Sequence, residues 1–131
     1  MKHNHQIRIR YSESDRMGTF YNSRLLEWME VGRNEWIRAV GVPYVEWEAR
    51  GVMAPIVESH LKFTGRAGYD DLMNIETTCV KEGRARVRFN SVISQAESGA
   101  PIAEGWTIHA LTNSEGRPIR MPGWLDEILN R

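Results

Sequence analysis

From Asn22 to Val40, apolar side chains recur at helical spacing: Leu25, Trp28, Met29, Trp36, Ala39 and Val40 share one side, with Glu27, Asn34 and Arg38 opposite. A single amphipathic helix of this length leaves a wide apolar stripe, which the rest of the chain must cover. The pattern stops near Gly41-Val42-Pro43, because proline cannot continue a helix. Gly32 falls in the middle of the apolar arc, where a missing side chain lets a sheet approach closely. Arg33 falls inside the same arc, where an unpaired charge is costly; Glu30, one turn earlier, is the nearest candidate partner.

The surface that covers the stripe is written as period-2 segments. Ahead of the helix, Ile7, Ile9 and Tyr11 alternate with Arg8 and Arg10 as a half-buried strand, and the polar start MKHNH reads as a frayed end. Four strands are expected after it, at about 53–63, 72–80, 84–93 and 102–111. The third alternates most cleanly, with Ala85, Val87, Phe89 and Ser91 on one face and Arg84, Arg86, Arg88 and Asn90 on the other. Turn residues separate them at 65–71, 81–83, 97–101 and 113–118. Short helical segments are expected at 44–50 and 122–130. The order strand, long helix, four strands predicts an α+β fold, one long helix packed on a five-stranded antiparallel sheet, as a single domain over 1–131.

Composition narrows the function classes. Seventeen basic and seventeen acidic residues leave no net charge, so no overall field draws nucleic acid or an anionic membrane. The one cysteine, Cys79, has no intrachain partner, no run resembles a signal peptide, and no apolar stretch approaches a membrane span, which together predict a cytoplasmic protein.

Chemistry is concentrated between strand and helix. Asp15 stands in the loop that turns back over the first amides of the helix, with Gly18 marking a tight turn. Free N–H groups at a helix start polarise a carbonyl or hold an oxyanion, and a neighbouring carboxylate serves as base or nucleophile. The alternative is that Asp15 merely caps its own turn. No G-x-S-x-G elbow, phosphate loop or dinucleotide fingerprint occurs. His60 and His109 sit on separate strands, where they read as face or edge residues rather than metal ligands, and no metal site is expected.

The run Tyr11-Ser12-Glu13-Ser14-Asp15-Arg16-Met17-Gly18, continuing through Tyr21-Asn22 to Glu30 and Arg33, resembles the N-terminal signature of the hotdog-fold acyl-CoA thioesterases, in particular the 4-hydroxybenzoyl-CoA and Tol-Pal-associated group. The resemblance implies an acyl-CoA thioesterase with no cofactor besides its coenzyme A thioester substrate. By it, Asp15 is the catalytic carboxylate, amides near Tyr21 or Asn22 hold the thioester oxygen, and Gly18 lets the loop approach the acyl group. It also implies a homodimer or homotetramer with sites at subunit interfaces. Arg66, Arg84, Arg86 and Arg88 are candidates to meet the phosphates of coenzyme A. Asn22 departs from the Tol-Pal type, which carries histidine there; asparagine orients a water or carbonyl but does not shuttle a proton near neutral pH. A hotdog dehydratase would want histidine at Phe20. A non-catalytic hotdog module that binds acyl carriers is the other reading, supported by the absent histidine.

Overall fold

A computed structural model describes residues 1–15 and 17–131. Its elements are β1 (Lys2–Arg8), α1 (Arg24–Ala39), α2 (Tyr44–Ala49), β2 (Ile56–Phe63), β3 (Leu72–Lys81), β4 (Arg86–Gln95), β5 (Pro101–Ala110) and α3 (Gly123–Leu129), with a single 3-10 turn at Tyr11–Glu13. The five strands form one antiparallel sheet in the order β1-β3-β4-β5-β2. This is the predicted architecture, and every predicted element exists.

The chain start differs from expectation. Lys2 to Arg8 pair residue for residue with Thr78 to Leu72 of β3, so the polar opening residues are a strand and not a frayed end. Backbone pairing along β3 organises them, since His3, His5 and Ile7 are only half covered. The strand also stops before Tyr11, which lies in the 3-10 turn and is 79% exposed. Further on, β4 begins at Arg86, leaving Arg84 in the preceding loop with its carbonyl bonded to the Met121 amide.

α1 lies across the sheet as its stripe requires. Leu25, Trp28, Met29, Trp36 and Ile37 are buried, and the alternation of β4 is obeyed, with Val87, Phe89, Ser91 and Ile93 inward. A Cβ on Gly32 would stand 2.6 Å from Thr77 Oγ1 and 2.7 Å from Ile75 Cγ2, so the helix rests directly on β3 at this point. The core divides along the helix. Ile9, Phe20, Leu25, Trp28 and Met29 pack at its N-terminal half, while Trp36, Trp47, Phe89, Leu111 and Leu125 pack at its C-terminal half. Cys79 is buried in the second cluster, and burial pushes its thiol pKa up. Among the described residues, no helix is long and apolar enough to cross a membrane.

At the far edge of the sheet, seven of the eight residues of β2 are exposed, including the apolar Ile56, Val57 and Phe63. An open strand edge carrying apolar residues is a template for another chain.

Candidate active site at the Asp15 loop

The loop before α1 is built on a buried carboxylate that the sequence did not single out. Glu13 is 5% exposed. Its Oε2 accepts from Trp28 Nε1 at 2.8 Å, and its Oε1 accepts from the Arg10 amide at 2.7 Å and faces the Arg10 guanidinium at 3.4 Å. Burial raises its pKa, but the Arg10 amide, the Trp28 indole and the Arg10 side chain together outweigh that, and the carboxyl titrates below its ordinary value. Glu13 therefore fixes the chain to the helix as it leaves β1. Only a contact fifteen residues apart identifies it, so local sequence gives no sign of it.

Two residues further on, Asp15 is exposed. Its Oδ1 accepts from the amides of Met17 at 2.8 Å and Thr19 at 3.3 Å, and its own amide donates to the Thr19 carbonyl at 2.6 Å. The turn-capping role is thus real, but it uses one oxygen. Oδ2 has no hydrogen-bond partner among the described residues.

Gly18 closes the turn with φ +76°, a conformation that a side chain would strain, and its amide donates to the Asp15 carbonyl at 3.2 Å. The opposite wall is the 65–71 loop. Gly68 meets the Gly18 carbonyl so closely that a Cβ there has no room, and Arg66 Nη2 reaches the Met17 carbonyl at 3.5 Å.

Tyr21 and Asn22 follow directly, both exposed. Their carbonyls accept from the amides of Arg24 (2.9 Å) and Leu25 (3.3 Å), which starts the helix. The amides of Tyr21, Asn22 and Ser23 donate to no described residue, and Ser23 makes no side-chain cap. These N–H groups stand at the positive end of a sixteen-residue helix, six to eight residues after Asp15 in the chain. Phe20, just before them in the chain, belongs to an aromatic floor: its ring packs 4.7 Å from Trp28 and 5.9 Å from Phe63 at the end of β2.

The structure therefore gathers Asp15, Gly18, Tyr21, Asn22 and Arg66 at one end of the sheet. The other three arginines lie elsewhere in the chain. Gln95, at the end of β4, bonds the Arg66 carbonyl. Arg86 stands at the opposite end of the same strand, nine steps of about 3.3 Å or about 30 Å away. Arg88 is stacked over Trp106 at 4.5 Å with its Nε on Asn90, and Arg84 borders α3 beside Arg120 and Asp126.

His60 stacks on Trp106 on the outer sheet face. His109 lies on the inner face of β5: it is 3% exposed, with Nδ1 2.8 Å from the Ala54 carbonyl and Nε2 2.8 Å from Thr107 Oγ1. Burial, partly countered by the Ala54 bond and reinforced by Arg33, lowers its pKa to about 4. Arg33 makes no ion pair with Glu30 within 4 Å among the described residues, because Glu30 projects into solvent while the Arg33 Nη1 is sealed without a partner.

The sequence model of the Thioesterase-like superfamily matches residues 9–129. The chain belongs to this superfamily. This thioesterase-like chain is 35% identical over 72 residues to YneP of Bacillus subtilis (strain 168), a provisionally assigned acyl-CoA thioesterase, covering 55% of this chain and 52% of that protein. Among solved structures, a hypothetical protein TT1821 from Thermus thermophilus superposes with a TM-score of 0.89 at 28% identity, covering 99% of this chain and 96% of that one. The DHNA-CoA thioesterase from Staphylococcus aureus superposes at 0.86 with 25% identity, covering 95% and 87%. The chain spans about half of the length of YneP and 63% of that of another curated relative it matches, a chloroplastic acyl-acyl carrier protein thioesterase of Arabidopsis thaliana. The hotdog architecture expected from the Tyr11–Arg33 signature is the one observed.

Proposed function

We propose that this chain hydrolyses an acyl-CoA thioester at the Asp15 loop. The observation that carries the reading is the Asp15 carboxylate itself: one oxygen is pinned by two amides of its own turn, and the other has no partner among the described residues, in the loop that leads into helix-start amides likewise without one. Superfamily membership and the thioesterases among its relatives support the reaction class.

In this reading the thioester oxygen rests on the Tyr21 or Asn22 amide, where the helix terminus stabilises the charge that develops on it. Asp15 takes a proton from water as the water oxygen bonds to the carbonyl carbon. The C–S bond then breaks, and the proton passes to the departing coenzyme A thiolate. Attack by Asp15 itself, with an anhydride hydrolysed afterwards, uses the same geometry. The Asn22 side chain orients the water or the carbonyl in place of a proton shuttle. Arg66, exposed and with its side chain held among the described residues by one long contact to the Met17 carbonyl, would meet a phosphate of coenzyme A.

A second copy on the β2 edge completes the site. Asp15 lies open on the single chain, and Phe63 at the end of exposed β2 touches the aromatic floor through Phe20. Strand pairing at β2 would therefore set a neighbour beside the loop. Hydrolysis of a panel of aromatic and aliphatic acyl-CoA thioesters, read by free thiol, tests the proposal: the parent chain releases thiol and Asp15→Asn loses nearly all of it. Equal release by Asp15→Asn removes Asp15 from the chemistry. Acyl-CoA binding without any thiol release favours the non-catalytic module.

A further inference from the structure

The 65–71 loop is anchored at three points. At its start the Gly65 amide donates to the Ile102 carbonyl at 2.9 Å, and the Pro101 carbonyl lies where a Cβ on Gly65 would stand. At its middle Ala67 is 3% exposed in the core cluster at the N-terminal half of α1. At its end the Asp71 carbonyl accepts from the Ile9 amide at 3.0 Å. Just before, Asp70 holds φ +70°, a left-handed conformation uncommon outside glycine. Its amide donates to the Ile9 carbonyl at 2.9 Å and its carbonyl accepts from Arg8 Nη1 at 2.7 Å, so the neighbours over-determine that conformation.

Asp71 draws these anchors together. Its Oδ2 accepts from the Gly68 amide at 2.9 Å and from Gln95 Nε2 at 3.2 Å, and the same Gln95 nitrogen reaches the Arg66 carbonyl at 3.3 Å. The Asp71 amide donates back to the Gly68 carbonyl at 3.1 Å, so the peptide groups on both sides of Gly68 are held. On its other side Gly68 abuts the Gly18 carbonyl, with no space for a Cβ. The Asp15 turn closes on itself through Asp15 and Thr19 and through Gly18 and Asp15, and Arg66 adds one long contact at Met17. What Asp71 fixes at Gly68 is therefore passed to the backbone that carries the Asp15 carboxylate.

We propose that Asp71 is a positioning residue for thioester hydrolysis: through Gly68 it holds the Asp15 turn where the carboxylate meets water and the acyl carbonyl, a role that depends on the reaction assigned above to this loop. Its contribution is geometric. Misplacing a reacting group by about 1 Å costs on the order of 100-fold in rate. Both side-chain bonds land on one oxygen, Oδ2, and an amide oxygen in the same place accepts them as well as a carboxylate does. Charge at Asp71 is thus dispensable, and the acceptor is not.

Three variants of the full chain test this: Asp71→Asn, Asp71→Leu and Gln95→Met. Thiol release from the panel of acyl-CoA thioesters is measured beside thermal unfolding and amide hydrogen exchange, with rates compared below the unfolding transition. Asp71→Asn keeps the accepting oxygen and should stay close to the parent in kcat, KM and pH profile. Asp71→Leu, similar in shape without the acceptor, should lower kcat by about 10- to 100-fold with KM little altered. It should also speed exchange of the Met17, Gly18 and Thr19 amides while β3 to β5 exchange as in the parent. Gln95→Met removes both Nε2 bonds and leaves Asp71 in place; it should move the same readouts by less, and it decides the matter where Asp71→Leu does not fold. A loss in Asp71→Asn equal to that in Asp71→Leu would assign the role to charge and overturn the proposal. So would unchanged kcat, or unchanged exchange at 17–19, in the folded variants that lack these bonds, since Asp71 would then only close its own loop. Full hydrolysis by Asp15→Asn, or none by the parent, is a separate failure: it removes the reaction from this loop while the exchange link between Asp71 and the Asp15 turn can still be seen.

Discussion

Trp28 donates its indole N–H to the Glu13 carboxylate at 2.8 Å, tying the loop that carries Asp15 to the first turns of α1. Both partners are buried, 1% and 5% exposed, so the contact has no competition from water. Replacing Glu13 by Ala strands the Trp28 N–H and the Arg10 amide together, and the expected loss is about 2–4 kcal/mol in denaturant unfolding, from two unsatisfied donors at about 1–3 kcal/mol each with partial relaxation. Because the folded carboxyl titrates below its unfolded value, its contribution is present above about pH 4.3 and is lost as pH falls through the folded pKa. Glu13→Gln should flatten that acid limb. An acid limb unchanged from the parent would show that the Glu13 charge does not stabilise the fold.

His109 acts in a separate window. Its folded pKa of about 4 lies below the ordinary value near 6.5, so the unfolded chain binds the extra proton first as pH falls. Stability supplied by neutral His109 is complete above about pH 6.5 and declines toward pH 4, by on the order of 3 kcal/mol if the whole shift is realised. Unfolding free energies measured at pH 7 and pH 4.5 should differ less for His109→Gln than for the parent. Equal pH dependence in the two proteins would remove His109 as the origin.

Gly32 separates helix propensity from packing. Alanine adds up to about 1 kcal/mol of propensity in a helix interior. Here its Cβ would press on Thr77 and Ile75, two β-branched side chains with little freedom to turn away. Overpacking of this kind costs about 1–3 kcal/mol, so Gly32→Ala should be destabilised and Gly32→Val more so, measured by urea midpoint at constant slope. A stabilised Gly32→Ala would mean that α1 can lift from β3 without cost.

The β2 edge makes a prediction about assembly. Val57→Lys places a charge on an exposed apolar position of the edge strand, whose outer side is open, without touching Asp15. Light scattering should show the parent as a dimer or larger and the variant shifted toward monomer, with thiol release from acyl-CoA falling in parallel. A monomeric variant with full activity per chain would show that one chain holds the complete site.

Cys79 should be silent. Its thiol is buried and its pKa raised, so a thiol-reactive disulfide reagent should label it only as fast as the chain opens. Rapid labelling of the native protein would contradict its burial.

The long helix and strands β3 to β5 were legible because each carries enough apolar residues for its period to show. β1 was not. Its half-covered positions are His3, His5 and Ile7, so most of its alternation is written in residues that do not advertise burial, and β3 supplies the order through the backbone. At the site, Asp15, Gly18, Tyr21 and Asn22 are neighbours in the chain, and a local signature can name them. Glu13 required Trp28, fifteen residues on, and the mutual position of Gly68 and Gly18 required two loops to fold against each other. The Arg33 expectation failed for a simple geometric reason: a helical spacing of three brings two side chains to one side without bringing them to the same depth. Glu30 stops in water where Arg33 continues inward.

The Gly68 backbone against the Gly18 carbonyl makes the 65–71 loop a mechanical stop behind the Asp15 turn. The contact itself is backbone against backbone, so the reach of the turn is set apart from the Asp15 side chain. Varying residues 67–69 should alter how far the Asp15 turn can retreat, which in the proposed reading changes the girth of acyl group admitted, with Asp15 itself untouched. A designer seeking altered selectivity would start there.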